Sequence, residues 1–209
     1  MEEKTYCTIY IARHGQTDQN LQQIIQGHID SVLNATGESQ AKVLGEKLAN
    51  VHFDAVFASD LLRAKRTAEL ATRDRNIAIQ TTNLLRERSY GDLDGQDAIA
   101  FKELSKLFAT MTKEEIFTYK HNPGYESDEA LVGRFITFVR EIAVVYAEKT
   151  VLIVSHGGLM RAFLMHIGFG TRKTLPHNSV KNTSYVKFKT DGVDFFVEDT
   201  DGIEKVLEM

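Results

Sequence analysis

The stretch that decides the fold is YCTIYIARHG, residues 6–15, in which a nearly continuous apolar run ends at Arg13 and His14. A second stretch, VLIVSHGG at residues 151–158, repeats this pattern, and a shorter apolar run covers residues 55–58. Such runs are typical of strands that are buried on both faces of a parallel sheet. We therefore expect an α/β protein, a three-layer α/β/α sandwich with a mostly parallel central sheet.

Helices are predicted between these strands. Thr36 opens an amphipathic stretch that extends to about residue 50, with apolar side chains at helical spacing. Further helices are expected over residues 61–73, 97–108, 113–119, 127–147 and 158–167. Near the end of the chain, two short strands at 185–189 and 194–197 flank Gly192 and are expected to form a hairpin at the sheet edge.

Size and composition limit the classes of function. The chain has 209 residues, of which 43% are hydrophobic, and is expected to form one domain over residues 1–209. A net charge of −4 gives no general attraction to nucleic acids or anionic membranes, so neither is expected as a partner. The sole cysteine, Cys7, lies in an apolar run and is expected in the core. Without a signal peptide or a long apolar segment, a cytoplasmic location is expected.

The first candidate for chemistry is Arg13-His14-Gly15, directly after the first predicted strand. Ligands bind at strand ends in α/β sheets, and an arginine offers a planar fork for phosphate oxygens. Thr17 and Asn20, which follow in the loop, offer neutral hydrogen-bonding groups. For an isolated Arg-His pair, a structural histidine that is hydrogen-bonded at a strand end is the favoured interpretation.

The second candidate is Ser155-His156-Gly157-Gly158, where another apolar strand delivers a His-Gly pair and then enters a helix. Amide groups at a helix N-terminus bind anions. Two strands that end in the same way favour a catalytic role for both histidines. Of the other histidines, only His28 is expected near the substrate.

Arg63 and Arg66 lie in a predicted helix that begins at a strand end, with Ser59 or Asp60 as its cap. Arg63 is in the first turn and is the better candidate for binding phosphate. Both arginines could instead be solvated residues on a polar helix face.

Glu87 is the carboxylic acid that we select as a proton donor to the leaving oxygen. It lies between Arg86 and Arg88, so a salt bridge with either arginine is the competing interpretation.

These motifs together resemble those of the histidine phosphatase (phosphoglycerate mutase-like) superfamily over nearly the whole chain. The motifs are Arg13-His14-Gly15, Arg63, Glu87 and Ser155-His156-Gly157, in this order. Residues 24–27, 59–61 and 85–91 most resemble the fructose-2,6-bisphosphatase-like branch that includes TIGAR. The sequence departs from the common family pattern at Gln16, Asp94 and Tyr125, outside the main motifs.

The resemblance implies a phosphoglycerate mutase-like fold and a phosphohistidine intermediate on His14. It further implies that His156, Arg13 and Arg63 hold the phosphoryl group and that Glu87 is the proton donor. Substrate contacts are implied for Arg13, Asn20, Gln26, Gly27, Arg63, Glu87 and Gly157.

The expected activity is hydrolysis of a small phosphorylated metabolite, either a sugar bisphosphate or a phosphoglycerate-type ester. No metal or other cofactor is expected, because arginines neutralise the phosphate and no acidic cluster has metal-ligand spacing. One alternative is a phosphoglycerate mutase, although the segment from Phe108 to Pro123 is shorter than in mutases of the family. Another is a non-catalytic phosphate-binding protein. Loops around His28, Arg88, Lys102 and residues 113–125 are expected to surround the leaving group, so the substrate and the oligomeric state stay open.

Overall fold

The computed structural model describes residues 4–206 and contains a six-stranded sheet with the order β3-β2-β4-β1-β5-β6. Strands β1 to β4 pair in parallel, and β5 and β6 join them as an antiparallel hairpin. The strands are β1 Cys7–Arg13, β2 Ala55–Ser59, β3 Ile79–Thr82, β4 Thr150–Ser155, β5 Val180–Thr190 and β6 Phe195–Ile203.

Seven α-helices are found within the described residues, and they include all those predicted. They are α1 Asp18–Leu21, α2 Ala35–Lys47, α3 Leu62–Ala71, α4 Ala100–Phe108, α5 Lys113–Thr118, α6 Asp128–Val145 and α7 Gly157–His166. Two short 3₁₀ turns, Asn83–Leu85 and Gly91–Leu93, follow β3.

Both faces of the central strands β1, β2 and β4 are buried, as their continuous apolar runs predicted. Ile9 and Ile153 pack towards the side covered by α6 and α7. Tyr10 and Leu152, their neighbours in sequence, pack towards the side covered by α2 and α3. Because successive strand residues point to opposite faces, both faces need apolar side chains, which explains the unbroken runs. The three-layer prediction is confirmed, and Cys7 is fully buried as expected.

Three local predictions were wrong or incomplete. Strand β3 was missed because its sequence, IQTT, contains one apolar residue and is only half buried. The hairpin strands extend well beyond the predicted residues, although the turn at Gly192 has the positive φ of 89° that favours glycine. Neither Ser59 nor Asp60 caps α3, whose first amide instead receives a cap from the carboxylate of Asp30.

The register of the sheet brings the two His-Gly motifs together. Arg13 at the end of β1 lies opposite Ser155 at the end of β4, and the amide of His14 donates to the Ser155 carbonyl at 3.0 Å. The carboxyl end of β2, which leads into α3 and Arg63, lies at the same edge. The candidate residues from distant parts of the chain are therefore neighbours.

None of the described helices combines the length and the apolar composition that crossing a membrane requires.

Candidate active site

His14 and His156 lie side by side at the carboxyl edge of the sheet. Their ring centroids are 5.1 Å apart, and the two residues are 3% and 0% exposed. Burial is the main cause that holds the pKa of each imidazole well below its usual value, and the nearby charge of Arg63 is the next largest. Both rings are therefore neutral at pH 7.

The hydrogen bond of His14 defines which ring nitrogen is nucleophilic. Its Nδ1 lies 2.7 Å from the carbonyl oxygen of Gly15. A carbonyl can only accept, so Nδ1 carries the proton and Nε2 keeps its lone pair. The neutral ring thus has a free nucleophilic nitrogen in a residue that lines the main cavity.

Several buried nitrogen atoms next to His14 have no hydrogen-bond partner within residues 4–206. They are Nδ1 and Nε2 of His156, Nε of Arg13 and Nε of Arg63. Buried polar atoms without partners are costly and uncommon in proteins. The two guanidinium nitrogens and the one protonated nitrogen of the neutral His156 ring are donors, and together they fit a bound oxyanion such as a phosphoryl group.

Backbone carbonyls hold both arginines in place. Arg13 donates from Nη1 to Val180 O at 2.6 Å, and Arg63 donates to Gly27 O and Ile29 O, each at 2.8 Å. Burial lowers the pKa of Arg63 to about 10, so it stays charged. Anchoring by neutral carbonyls leaves the positive charge of each guanidinium available to a ligand.

Two glycines permit this arrangement. Gly27 has φ +46°, and a Cβ there would lie 1.8 Å from the carboxylate of Asp94. A Cβ on Gly157 would lie 3.1 Å from Arg13 Nε, one of the unpartnered nitrogens. Both positions therefore disfavour larger side chains.

Glu87 occupies the N-terminus of α7. Its carboxylate accepts hydrogen bonds from the amides of Gly158 at 2.8 Å, Leu159 at 3.0 Å and Arg88 at 2.8 Å. These helix amides were expected to bind the substrate anion, but the protein's own carboxylate takes those of Gly158 and Leu159. The competing salt-bridge interpretation was wrong, because Arg86 pairs with Asp60 and Arg88 with Asp128.

The loop that carries Glu87 is fixed by two neighbours. His28 Nε2 donates to the Glu87 carbonyl at 2.8 Å, and Arg134 donates to the same oxygen at 3.0 Å. His28 is not among the cavity-lining residues, so its expected place beside the substrate was wrong. Its contact supports Glu87 instead.

Three polar residues after β1 form a connected network. Thr17 is fully buried and donates to Gln26 Oε1 at 3.0 Å. Its hydroxyl was expected to be available to a ligand, but Thr17 is not among the cavity-lining residues. Asn20 and Gln26 do line the cavity. Asn182, which the sequence did not reveal, donates to the His14 carbonyl at 3.0 Å and to Asn20 Oδ1 at 3.2 Å.

The cavity has a volume of about 950 Å³, far more than a phosphoryl group requires. One end contains Arg13, His14, Asn20, Gln26, Gly27, Arg63, Glu87 and Gly157. The other end is formed by α4, α5 and the later turns of α7, with Phe101, Phe108, Arg161, Met165 and Arg172 in its wall. The expectation that residues around Arg88, Lys102 and 113–125 surround the leaving group agrees with this lining, which includes Arg88, Phe101 and Lys113. The contribution of α7 was missed, although Arg161 lies four residues after Gly157 and so on the same helix face.

One candidate, Arg66, lies outside the cavity, and one histidine that was not a candidate lies within it. Arg66 is half exposed and pairs with Glu38 and Glu69, so the solvated interpretation of this arginine was right. His177 lines the cavity and packs against Phe101 with the ring centroids 4.5 Å apart and the rings tilted by 45°, which its sequence context did not indicate. Over residues 4–206, no three or more His, Cys, Asp or Glu side chains gather as a metal site would need.

Comparison with known proteins adds to this geometry. A family model described as histidine phosphatase superfamily (branch 1) matches residues 9–200. The chain is 36% identical to the uncharacterized phosphatase PhoE of Bacillus subtilis, over 78% of each chain. It is 33% identical to a 2,3-bisphosphoglycerate-dependent phosphoglycerate mutase of Methylocella silvestris, over 80% of this chain and 84% of the relative.

The expected likeness to the fructose-2,6-bisphosphatase branch is also found. The chain is 29% identical to fructose-2,6-bisphosphatase TIGAR of Xenopus tropicalis, over 90% of this chain and 84% of the relative. Among solved structures, Bacillus stearothermophilus YhfR superposes with a TM-score of 0.78 at 27% identity, covering 95% of this chain and all of the other.

Proposed function

Because this chain belongs to the histidine phosphatase superfamily, a family of enzymes, we propose that it hydrolyses a small phosphorylated metabolite through a phosphohistidine on His14. The observation that carries the proposal is the group of unpartnered buried nitrogens of Arg13, Arg63 and His156 beside the nucleophilic ring. An incoming phosphoryl group supplies the acceptors that the two guanidinium nitrogens and the protonated nitrogen of His156 lack.

In the first step, His14 Nε2 attacks phosphorus, forming the P–N bond as the bond from phosphorus to the ester oxygen breaks. Arg13, Arg63 and His156 stabilise charge on the remaining phosphoryl oxygens. Glu87 gives a proton to the leaving oxygen.

In the second step, a water molecule attacks the phosphohistidine and loses a proton to the Glu87 carboxylate. The P–N bond breaks, which releases inorganic phosphate and restores the neutral ring. Amide hydrogen bonds hold the carboxyl in one place, so the same group serves both steps.

Transfer to water rather than to a second substrate position is favoured by the short segment between α4 and α6. Apart from α5, this segment contains only short connecting loops. The phosphoglycerate mutase among the relatives makes isomerisation the alternative outcome. Comparing phosphate release with conversion of 3-phosphoglycerate to 2-phosphoglycerate distinguishes the two.

The direct test is to trap an acid-labile phosphoenzyme after mixing with a ³²P-labelled phosphate ester. The wild type is expected to be labelled, and His14→Ala is expected to lose both the label and turnover. His52→Ala is the matched control, because that side chain is 88% exposed and lies outside the cavity. Labelling of His14→Ala would place the nucleophile elsewhere, and a wild type that binds phosphate without labelling or hydrolysis would indicate a non-catalytic protein.

A further inference from the structure

The first turns of helix α2 pack directly against the backbone that follows His14. A Cβ on Gly15 would lie 2.4 Å from the carbonyl oxygen of Gly37, and one on Gly37 would lie 2.0 Å from the carbonyl oxygen of Gln16. The amide of Asn34, the N-cap of α2, donates to that same oxygen of Gln16 at 3.0 Å. The helix and the loop are therefore in backbone contact directly beside the nucleophile.

Gln40, three residues after Gly37 in α2, binds the peptide group that joins Gly15 to Gln16. The N–H of Gln16 donates to Gln40 Oε1 at 2.9 Å. The carbonyl of the same peptide group, that of Gly15, accepts from His14 Nδ1 at 2.7 Å. One hydrogen-bonded chain therefore runs from Gln40 through a single planar peptide group to the ring of the nucleophile.

The two hydrogen bonds of this peptide group reinforce each other. An acceptor at its N–H shifts electron density through the conjugated C–N bond towards the carbonyl oxygen, which becomes a stronger acceptor. The same contact fixes the plane of the peptide group and so the direction in which the oxygen faces the imidazole. Gln40 thus affects both the strength and the direction of the bond that holds Nδ1 of His14.

The neighbouring polar contacts hold the preceding peptide group instead. The His14 carbonyl accepts from Asn182 Nδ2 at 3.0 Å, and the Gly15 amide donates to the Thr67 hydroxyl at 3.0 Å. Both of these groups belong to the peptide bond between His14 and Gly15. Within residues 4–206, Gln40 is the one side chain besides His14 that binds the following peptide group.

We propose that Gln40 is a positioning residue for the reaction of His14, whose ring it aligns through the peptide group between Gly15 and Gln16. This proposal rests on the proposed function, because it concerns the attack of Nε2 on phosphorus. When Nε2 forms the P–N bond, the ring gains positive charge while Nδ1 keeps its proton. A strong and correctly directed carbonyl at Nδ1 stabilises that charge. Gln40 is not among the cavity-lining residues, so it speeds formation of the phosphohistidine without touching the substrate.

A purely structural role for Gln40 makes a different prediction. If Gln40 only fastened α2 to the loop, its loss would lower the stability of the protein and leave the ring of His14 unchanged in the molecules that fold. The Asn34 side chain is such a fastener, because it caps α2 at the Gly37 amide and donates to Gln16 Oε1 at 3.1 Å. It does not bind the peptide group that holds Nδ1, so Asn34→Ala is the matched control.

The first test measures the release of nitrophenolate from p-nitrophenyl phosphate in a single turnover, with the enzyme in excess. Gln40→Leu has no acceptor at the position of Oε1, so phosphorylation of His14 should slow about 10- to 100-fold, the loss usual when a metal-binding histidine loses the partner of its second nitrogen. Inhibition by inorganic phosphate should be unchanged. Gln40→Glu keeps an acceptor oxygen and should restore the rate, and Asn34→Ala should keep the rate while losing stability.

The second test needs no turnover. Nitrogen-15 NMR of the histidine rings, with the His14 signals identified by their loss in His14→Ala, shows which ring nitrogen carries the proton. In the wild type Nδ1 should be protonated and Nε2 should not. In Gln40→Leu the two signals should move towards each other, because both tautomers become populated. In Gln40→Glu the Nδ1 proton should move downfield, because a carboxylate is the stronger acceptor.

Unchanged rates and ring signals in Gln40→Leu would overturn the proposal, and so would equal changes in Asn34→Ala. If Gln40→Leu does not fold, Gln40→Glu decides alone, and an unmoved Nδ1 proton signal would overturn the proposal. A wild type that forms no phosphohistidine, while Gln40→Leu still alters the ring signals, would refute the proposed function but keep Gln40 as the residue that positions the ring.

Discussion

Replacing Glu87 with glutamine separates the two steps proposed for this carboxyl. Glutamine has nearly the same shape, but one carboxylate oxygen becomes an NH₂ group. If the amide oxygen takes the place of Oε1, the NH₂ faces the Gly158 amide, so that two donors meet. One unsatisfied donor of this kind costs about 1–3 kcal/mol, which is a measurable but tolerable loss of stability.

The catalytic loss is expected to depend on the leaving group. General acid catalysis contributes about 10²- to 10⁴-fold when the leaving group is an alkoxide that needs a proton. Glycerol 1-phosphate should therefore lose this factor in Glu87→Gln. The nitrophenolate ion leaves without a proton, so phosphorylation of His14 by p-nitrophenyl phosphate should stay within about tenfold of the wild type.

The second step loses its base in the same variant, whichever ester supplied the phosphoryl group. Stopped-flow mixing with p-nitrophenyl phosphate should therefore show a burst of one nitrophenolate per active site, followed by slow turnover. Exposed Glu129 in the first turn of α6 provides the control variant Glu129→Gln, which should behave as the wild type.

Two results would refute this reasoning. One is hydrolysis of glycerol 1-phosphate by Glu87→Gln at a rate within tenfold of the wild type. The other is an equal slowing of the first step with both esters, since that would mean the variant distorts the site and Glu87 gives no proton. Urea unfolding of each variant verifies that the measured protein is folded.

Two further predictions concern stability. As the pH is lowered below about 6.5, the free energy of unfolding should fall by up to about 2.7 kcal/mol per pH unit. The reason is that the unfolded chain protonates His14 and His156, whereas their lowered pKa keeps both neutral in the folded protein. Urea titrations at several pH values measure this slope, and a double variant with asparagine at both positions should flatten it; an unchanged slope would contradict the assignment. Gly15→Ala should cost about 1–3 kcal/mol, since its Cβ would lie 2.4 Å from the backbone oxygen of Gly37. A Cβ at Gly133, inside α6, would have no atom within 4 Å, so Gly133→Ala should instead stabilise the protein by about 0.5–1 kcal/mol. Equal unfolding midpoints for Gly15→Ala and Gly133→Ala would be inconsistent with this packing.

The sequence was most informative about elements whose burial requires apolar residues along one continuous segment. Strands β1 and β4 could be predicted because both of their faces are covered, and each therefore needs an unbroken apolar run. Strand β3 lies at the sheet edge and is half buried, so it leaves no such pattern. The cap of α3 comes from Asp30, which is distant in sequence, and local capping rules cannot identify it.

The same distinction applies to the site. Arg13 is the last residue of β1 and His156 directly follows β4. The sequence marks both strand ends, so their meeting at one edge could be inferred. The bonding of Glu87 could not, because the helix amides that attract a substrate anion attract a carboxylate of the chain equally well. Which anion occupies a helix N-terminus depends on the distance between two segments about 70 residues apart, and only coordinates provide that distance.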